Sequence, residues 1–160
     1  MLPAWVARYV GIPFADLGRD HQGADCFGLV RLVLLDQAGI ELPLHATEYG
    51  SEANARAVRL EMDATASSGS WRPIAAGEER PFDVVEMTVT AQTRERPGVY
   101  RAVIVPTHLG IVVAPGWLLH TERTTGALLG RYREDQVVRA RVVAFWRYRE
   151  PGTRTQEPGR

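Results

Sequence analysis

The stretch "GADCFGLVRLVLLDQAGIELP" (residues 23–43) decides how this chain reads. It carries the single cysteine, Cys26, at the front of an apolar run. Asp25 stands where a helix takes its N-cap, and Gly39 stands where a helix stops. Residues 26–38 therefore read as a helix. Apolar residues cover most of its circumference, and only Arg31, Asp36 and Gln37 are clearly polar, so the helix is expected to be mostly buried. The β-branched Val30 and Val33 are the features that lean toward a strand instead.

Cys26 falls in the first turn of this helix. Unpaired N–H groups and the helix dipole favour negative charge there, and lower a thiol from its free value of about 8.5. Gly28 is expected to keep the turn beside the thiol uncrowded. The competing reading is a small core residue, which most lone cysteines are.

The surrounding composition narrows the options. A chain of 160 residues makes one domain and buries roughly 70% of its unfolded surface. Its 19 basic residues, all Arg, balance 19 acidic ones. A net charge of zero argues against a general nucleic-acid binder. One cysteine cannot close an internal disulfide. The N-terminal "MLPAWVARYVGIPF" lacks a charged region followed by a long apolar run, so no secretory signal is expected, and no stretch suggests a membrane span.

Upstream, "AWVARYV" (4–10) suggests a short helix and "LGRDHQGAD" (17–25) a polar loop. Residues 51–66 read as a second helix, with Ala55, Val58, Met62 and Ala66 on one stripe. "SSGSWRP" (67–73) reads as a loop. The period then becomes that of strands, at 82–90, 99–105, 108–114, 117–122 and 136–149, with "TRERPG" (93–98) as a hairpin tip. Helices first and antiparallel strands afterwards make an α+β domain over 1–149, followed by a flexible tail at 150–160. Arg139, Arg141, Arg147 and Arg149 alternate and read as the solvated face of the last strand, with an anionic-partner site as the second reading. Trp5, Trp71, Trp117 and Trp146 read as packing residues.

Four histidines accompany the cysteine. His21 and His45 lie in expected loops. His108 and His120 lie on adjacent strands, and a three-residue loop Ala114–Pro115–Gly116 puts both on one face. In that register Val113 pairs with Trp117, His120 lies opposite Gly110, and His108 is its diagonal neighbour. Cys26 as nucleophile, His108 as base and His120 as orienting group form a triad on this spacing, with Glu122 as the alternative orienting residue. Singly, each strand histidine also reads as a partly exposed polar residue. Cys26, His108 and His120 could also supply three zinc ligands, although no paired-ligand spacing of the His-x-x-x-His kind occurs and no metal or other cofactor is expected.

These residues resemble the NlpC-type cell-wall peptidases of the papain-like superfamily. Asp25, Cys26, Gly28, Leu29 and Val30, followed by Gly39, Leu42 and Pro43, resemble the cysteine motif. "RPFDVVEM" (80–87), "HLGIVV" (108–113) and "WLLHTE" (117–122) resemble the later strand motifs, in the expected order across residues 5–147. The resemblance implies a papain-like fold in which a buried helix carrying the cysteine packs on an antiparallel sheet carrying both histidines. It implies a cysteine endopeptidase acting on peptide stems of bacterial peptidoglycan, often at the γ-D-glutamyl–diamino acid bond. On it, Cys26 matches the nucleophile, His108 the base and His120 the third polar residue, while Asp25, Phe27 and Phe14 match positions near the substrate.

Three departures stand out. Phe27 replaces the usual serine, Phe14 stands where a tyrosine is common, and residues 88–107 are longer than usual. Phe27 after the cysteine, the missing signal and the run "GLVRLVLLDQAGIELP" (28–43) together resemble the phage-tail branch, which includes gene-transfer-agent tail proteins. There a particle carries the enzyme to the target cell wall and neighbouring tail-tip or hub proteins are the partners. Two other readings stay open: a structural tail-assembly module without turnover, and a papain-like amidase or acyltransferase on another substrate.

Overall fold

The computed structural model describes residues 1–42 and 70–149. The expected helix at 51–66, His45, Pro43 and the tail at 150–160 lie outside the described residues. A short 3₁₀ turn, Ala4–Arg8, opens the chain. Strands β1 (Arg19–Asp20) and β2 (Gly23–Ala24) then form a small antiparallel hairpin in the segment expected to be a loop. Helix α1 spans Cys26–Ala38. Strands β3 (Trp71–Ile74), β4 (Val84–Arg96), β5 (Val99–Ala114), β6 (Trp117–Glu122) and β7 (Gly126–Gly130) follow. Helix α2 (Gln136–Arg141) leads into β8 (Val142–Tyr148). The six longer strands make one antiparallel sheet in the order β3-β8-β4-β5-β6-β7. This is the expected α+β class.

Helix α1 forms where its end signals placed it. Asp25 caps it by accepting from the Gly28 N–H at 2.7 Å, and Gly39 in the left-handed region ends it. Phe27, Leu29, Val30, Leu32, Val33 and Leu34 are buried, and the core they enter includes Leu109, Ile111 and Leu119 of the sheet. Trp71 is buried in this core and Trp5, Trp117 and Trp146 pack at its border, as packing residues should. The other sheet face holds a second cluster of Ile74, Val85, Met87, Val112, Leu118, Tyr132 and Phe145. Val138 of α2 and Val142 close it.

Three expectations are corrected. Residues 136–149 are not one strand. Asp135 accepts from the N–H groups of Val137 and Val138, which starts α2 and delays β8 to Val142. With that, the arginines do not alternate on a solvated strand face. Arg147 instead grips the buried Asp83 with two 2.7 Å contacts. The β5–β6 connection also differs: Ala114, not Val113, pairs with Trp117, and the turn is Pro115–Gly116, with Gly116 at φ 82°. A bulge between Val112 and Ala114 adds the residue that the shorter turn omits, so Gly110 still faces His120. Finally, β3 and β7 are strands in segments not assigned to strands from the sequence.

Gly28 has a different role from the one expected. A Cβ on it would lie 1.9 Å from the Gly18 carbonyl oxygen, so its bare backbone is what lets the 12–18 loop lie on the helix. Alanine is the better helix former by about 1 kcal/mol. The clash with backbone outweighs that gain, and Gly28→Ala should lower stability by roughly 1–3 kcal/mol in chemical denaturation. An unchanged or raised midpoint would show that the loop is not held there.

Candidate active site

The site gathers where the tip of α1 meets β5 and β6. Cys26 occupies the first position of α1, behind the Asp25 cap. The Asp25 carboxylate is fully engaged: Oδ1 takes the Gly28 N–H and Arg19 Nη1 at 2.7 Å each, and Oδ2 takes the Leu17 N–H at 3.2 Å. Phe27 turns into the core, with the Arg19 guanidinium 5.3 Å above its ring. Phe14 is covered by Arg123 at 4.9 Å, beside the end of β6. The bulky side chains that replace a serine and a tyrosine are thus occupied by arginines.

The backbone N–H groups of Leu109 and Phe27 lie close enough to the Cys26 sulfur to favour its thiolate. A direct hydrogen bond from the thiol to His108 is not among the contacts of the described residues. His108 itself pairs with Met87 of β4. By strand alternation it shares a face with Gly110 and Val112, and His120 shares that face with Leu118.

The two imidazoles meet as the register demands. His108 Nε2 lies 3.1 Å from His120 Nδ1, and both residues are buried, at 7% and 2% exposure. Glu122 Oε1 stands 3.4 Å from the same His120 nitrogen, and Arg141 Nη1 holds that oxygen at 2.7 Å. Arg141 also donates through Nε to the Thr88 carbonyl at 3.0 Å. Of the two candidate orienting residues, His120 makes the direct contact to His108 and Glu122 stands behind it. Arg141 is the group that the sequence did not single out. Recognising Asp135 as an N-cap would have placed it at the end of a helix rather than on a strand.

The metal alternative loses its basis here. Among the described residues the donor atoms that gather within 4.8 Å of one another are those of His108, His120 and Glu122, without Cys26. The imidazole ring centres are 5.3 Å apart and the facing nitrogens 3.1 Å, a difference close to the full two ring radii. The nitrogens therefore point head-on along the line of centres. That is hydrogen-bond geometry, whereas chelation of one ion needs lone pairs that converge.

No protein-family model matches the sequence, and no curated protein matches it. Solved structures do. The NlpC/p60 domain of the peptidoglycan hydrolase SagA shares 18% identity at a TM-score of 0.50, over 89% of this chain and 94% of that one. A protein similar to a lipoprotein of the NLP/P60 family, from Staphylococcus aureus subsp. aureus Mu50, shares 18% identity at a TM-score of 0.52. There the match covers 89% of this chain and 38% of that one. The chain has the NlpC/p60 fold.

The electrostatics of the site follow from burial. Burial, and next the adjacent Asp25 charge, push the Cys26 thiol up to about 11, while the Leu109 and Phe27 N–H groups pull it down. The helix-tip expectation of an acidified thiol is therefore overturned: lost hydration and a neighbouring carboxylate outweigh the helix terminus. Burial, and next the neighbouring His120, lower His108 to about 3. The resting site holds a neutral thiol and a neutral His108. Glu122 is lowered to about 2, chiefly by its interaction with His120, and remains a carboxylate.

A thiol in this state should alkylate slowly at neutral pH, since the thiolate is the reactive form. We expect iodoacetamide to modify Cys26 at pH 7 at least about tenfold more slowly than free cysteine, after the greater nucleophilicity of a more basic thiolate is included. The rate should still climb about tenfold per unit between pH 8 and 10, where free cysteine levels off. A plateau below pH 8 would mean that a thiolate–imidazolium pair already exists at rest.

Proposed function

We propose that this chain is a cysteine endopeptidase acting on the peptide stems of bacterial peptidoglycan, at the γ-D-glutamyl–diamino acid bond. The observation that carries the reading is the buried His108–His120 hydrogen bond, in register with a cysteine at the adjoining helix tip. In this reading His108 Nε2–H donates to His120 Nδ1, which leaves His108 Nδ1 with the lone pair that takes the thiol proton. The fold shared with a peptidoglycan hydrolase domain and the Asp-Cys-x-Gly-Leu-Val motif at 25–30 support the same class of substrate.

In this reading His108 Nδ1 accepts the Cys26 proton as Sγ attacks the scissile carbonyl. His108 returns that proton to the leaving amine, so the C–N bond breaks and a thioester remains. His108 then draws a proton from water as the water oxygen attacks the thioester, the C–S bond breaks, and His108 hands the proton back to Sγ. His120 keeps His108 oriented throughout. The neutral resting pair means that proton transfer accompanies attack, as general-base catalysis.

We also propose that one domain over residues 1–149 is carried on a phage or gene-transfer-agent tail and acts at the target cell wall. The resemblance of Phe27 and residues 28–43 to the tail-borne branch supports this. Tail-tip or hub proteins are the partners in this reading. Among the described residues no helix is long and apolar enough to cross a membrane.

A second reading is a tail-assembly module with little or no turnover. The thiol pushed up to about 11 favours it. One experiment separates the two. Purified protein is incubated with peptidoglycan sacculi and the released stems are analysed by mass spectrometry. The peptidase reading expects cleavage after γ-D-glutamate, lost at least about 1,000-fold in Cys26→Ala while the melting temperature holds. Products cut elsewhere would keep the thiol chemistry and move the substrate. Intact sacculi, together with Cys26→Ala particles that enter cells normally, would leave the assembly reading.

A further inference from the structure

A buried histidine pair that takes a proton must put the charge somewhere. Two imidazoles facing each other at 3.1 Å, both nearly dehydrated, repel a cation unless an anion stands close by. Glu122 is that anion. Its Oε1 lies 3.4 Å from His120 Nδ1, the nitrogen that also faces His108. Arg141 fixes the carboxylate from the far side, and is itself fixed to the Thr88 carbonyl where the β4–β5 hairpin leaves the sheet.

The charged groups around the pair are few. From β6 comes Glu122, and from the end of α2 comes Arg141. From α1 comes the Cys26 thiol, at the neighbouring Leu109 N–H. From β4, Met87 pairs with His108 and brings no charge. From β7, Gly130 approaches the far side of His120, again without charge. One carboxylate therefore dominates the field at His120.

We propose that Glu122, pinned by Arg141, is a positioning residue that makes the His108–His120 pair a two-step proton relay. The thiol proton arrives on His108 Nδ1, the proton on His108 Nε2 passes to His120 Nδ1, and Glu122 faces the resulting imidazolium. One N–H bond forms on each ring and one breaks on His108, so the pair gains one proton, the one the thiol loses. The reverse relay restores the starting tautomers when His108 protonates the leaving group. This inference rests on the thiol chemistry of the proposed function, but the relay can be read without turnover.

The test is NMR on the folded protein, with the Cys26→Ala variant as the background so that only the imidazoles titrate. Long-range nitrogen spectra, assigned with His108→Asn and His120→Asn, give the protonation midpoint of the pair. Glu122→Gln should lower that midpoint by about one unit or more, because the nearby opposite charge is gone. Glu122→Asp keeps the charge and should recover at least half of the shift. With native Cys26 and a cleavable substrate, Glu122→Gln should cut kcat at least tenfold with KM within twofold. If Glu122→Gln does not fold, unsubstituted Glu122 serves as the probe: its carboxyl carbon should move at the pH where the pair titrates. A midpoint unchanged in folded Glu122→Gln, or a carboxyl carbon indifferent to the imidazoles, overturns the relay. A relay that titrates as described in a protein that leaves peptidoglycan intact would overturn the peptidase reading alone.

Discussion

The Asp25 carboxylate is the constraint on which the cysteine end of the structure depends. It starts α1 through the Gly28 N–H, and it holds the preceding loop through the Leu17 N–H and Arg19. Leu17 sits at φ 60°, a left-handed conformation that costs a branched side chain about 1–2 kcal/mol, and its N–H is one of those Asp25 holds. A cap alone contributes about 1 kcal/mol. Here the same carboxylate also neutralises Arg19, whose guanidinium covers Phe27 and donates to the Gly18 carbonyl. That carbonyl lies against Gly28, which closes the set: cap, loop and helix turn hold one another. The arrangement has a chemical cost, because the Asp25 charge beside the thiol opposes its ionisation.

Elsewhere, arginines spend their charge on half-buried and buried carboxylates. Arg147 grips Asp83, Arg133 and Tyr132 hold Glu79, and Arg141 holds Glu122. Each pair joins segments far apart in sequence, so they fix how α2 and β8 return onto the sheet. Pairs of this kind add little net stability, since desolvation offsets attraction, but a misplaced partner would leave a buried charge alone. A planar guanidinium suits this task because it can meet a carboxylate through two donors. The zero net charge of the chain thus includes pairs that are parts of its interior.

Much of this was legible in the sequence where local chemistry decides. The ends of α1 follow from Asp25 and Gly39, and the β4–β5 turn from Pro97–Gly98. The His108–His120 proximity follows from strand parity, although the loop that delivers it is two residues plus a bulge instead of three. A bulge leaves little sign in sequence, because it is set by how β5 and β6 twist against each other. The last segment was misread because "QVVRARVV" (136–143) suits helix and strand almost equally. Asp135 settles it, and a capping residue ahead of two β-branched pairs is easily outweighed by them. The acidity of Cys26 could not be read at all, since it turns on burial by elements distant in sequence.

The same burial acts on both partners of the proposed reaction, raising the thiol and lowering His108, so it opposes charge separation twice. Chemistry at such a site depends on groups that receive the separated charges. For the thiolate these are the Leu109 and Phe27 N–H groups, from β5 and from α1. For the protonated pair it is Glu122 of β6, held by Arg141 at the end of α2. Four elements therefore contribute to the proposed proton transfer, and three of them follow Cys26 by more than seventy residues. The cysteine motif can announce a nucleophile, but the reactivity of that nucleophile is a property of the register of the sheet. A substitution that shifts β6 by one residue would leave "GADCFGLV" intact while turning His120 to the opposite face, and would remove the partner of His108 without touching the thiol.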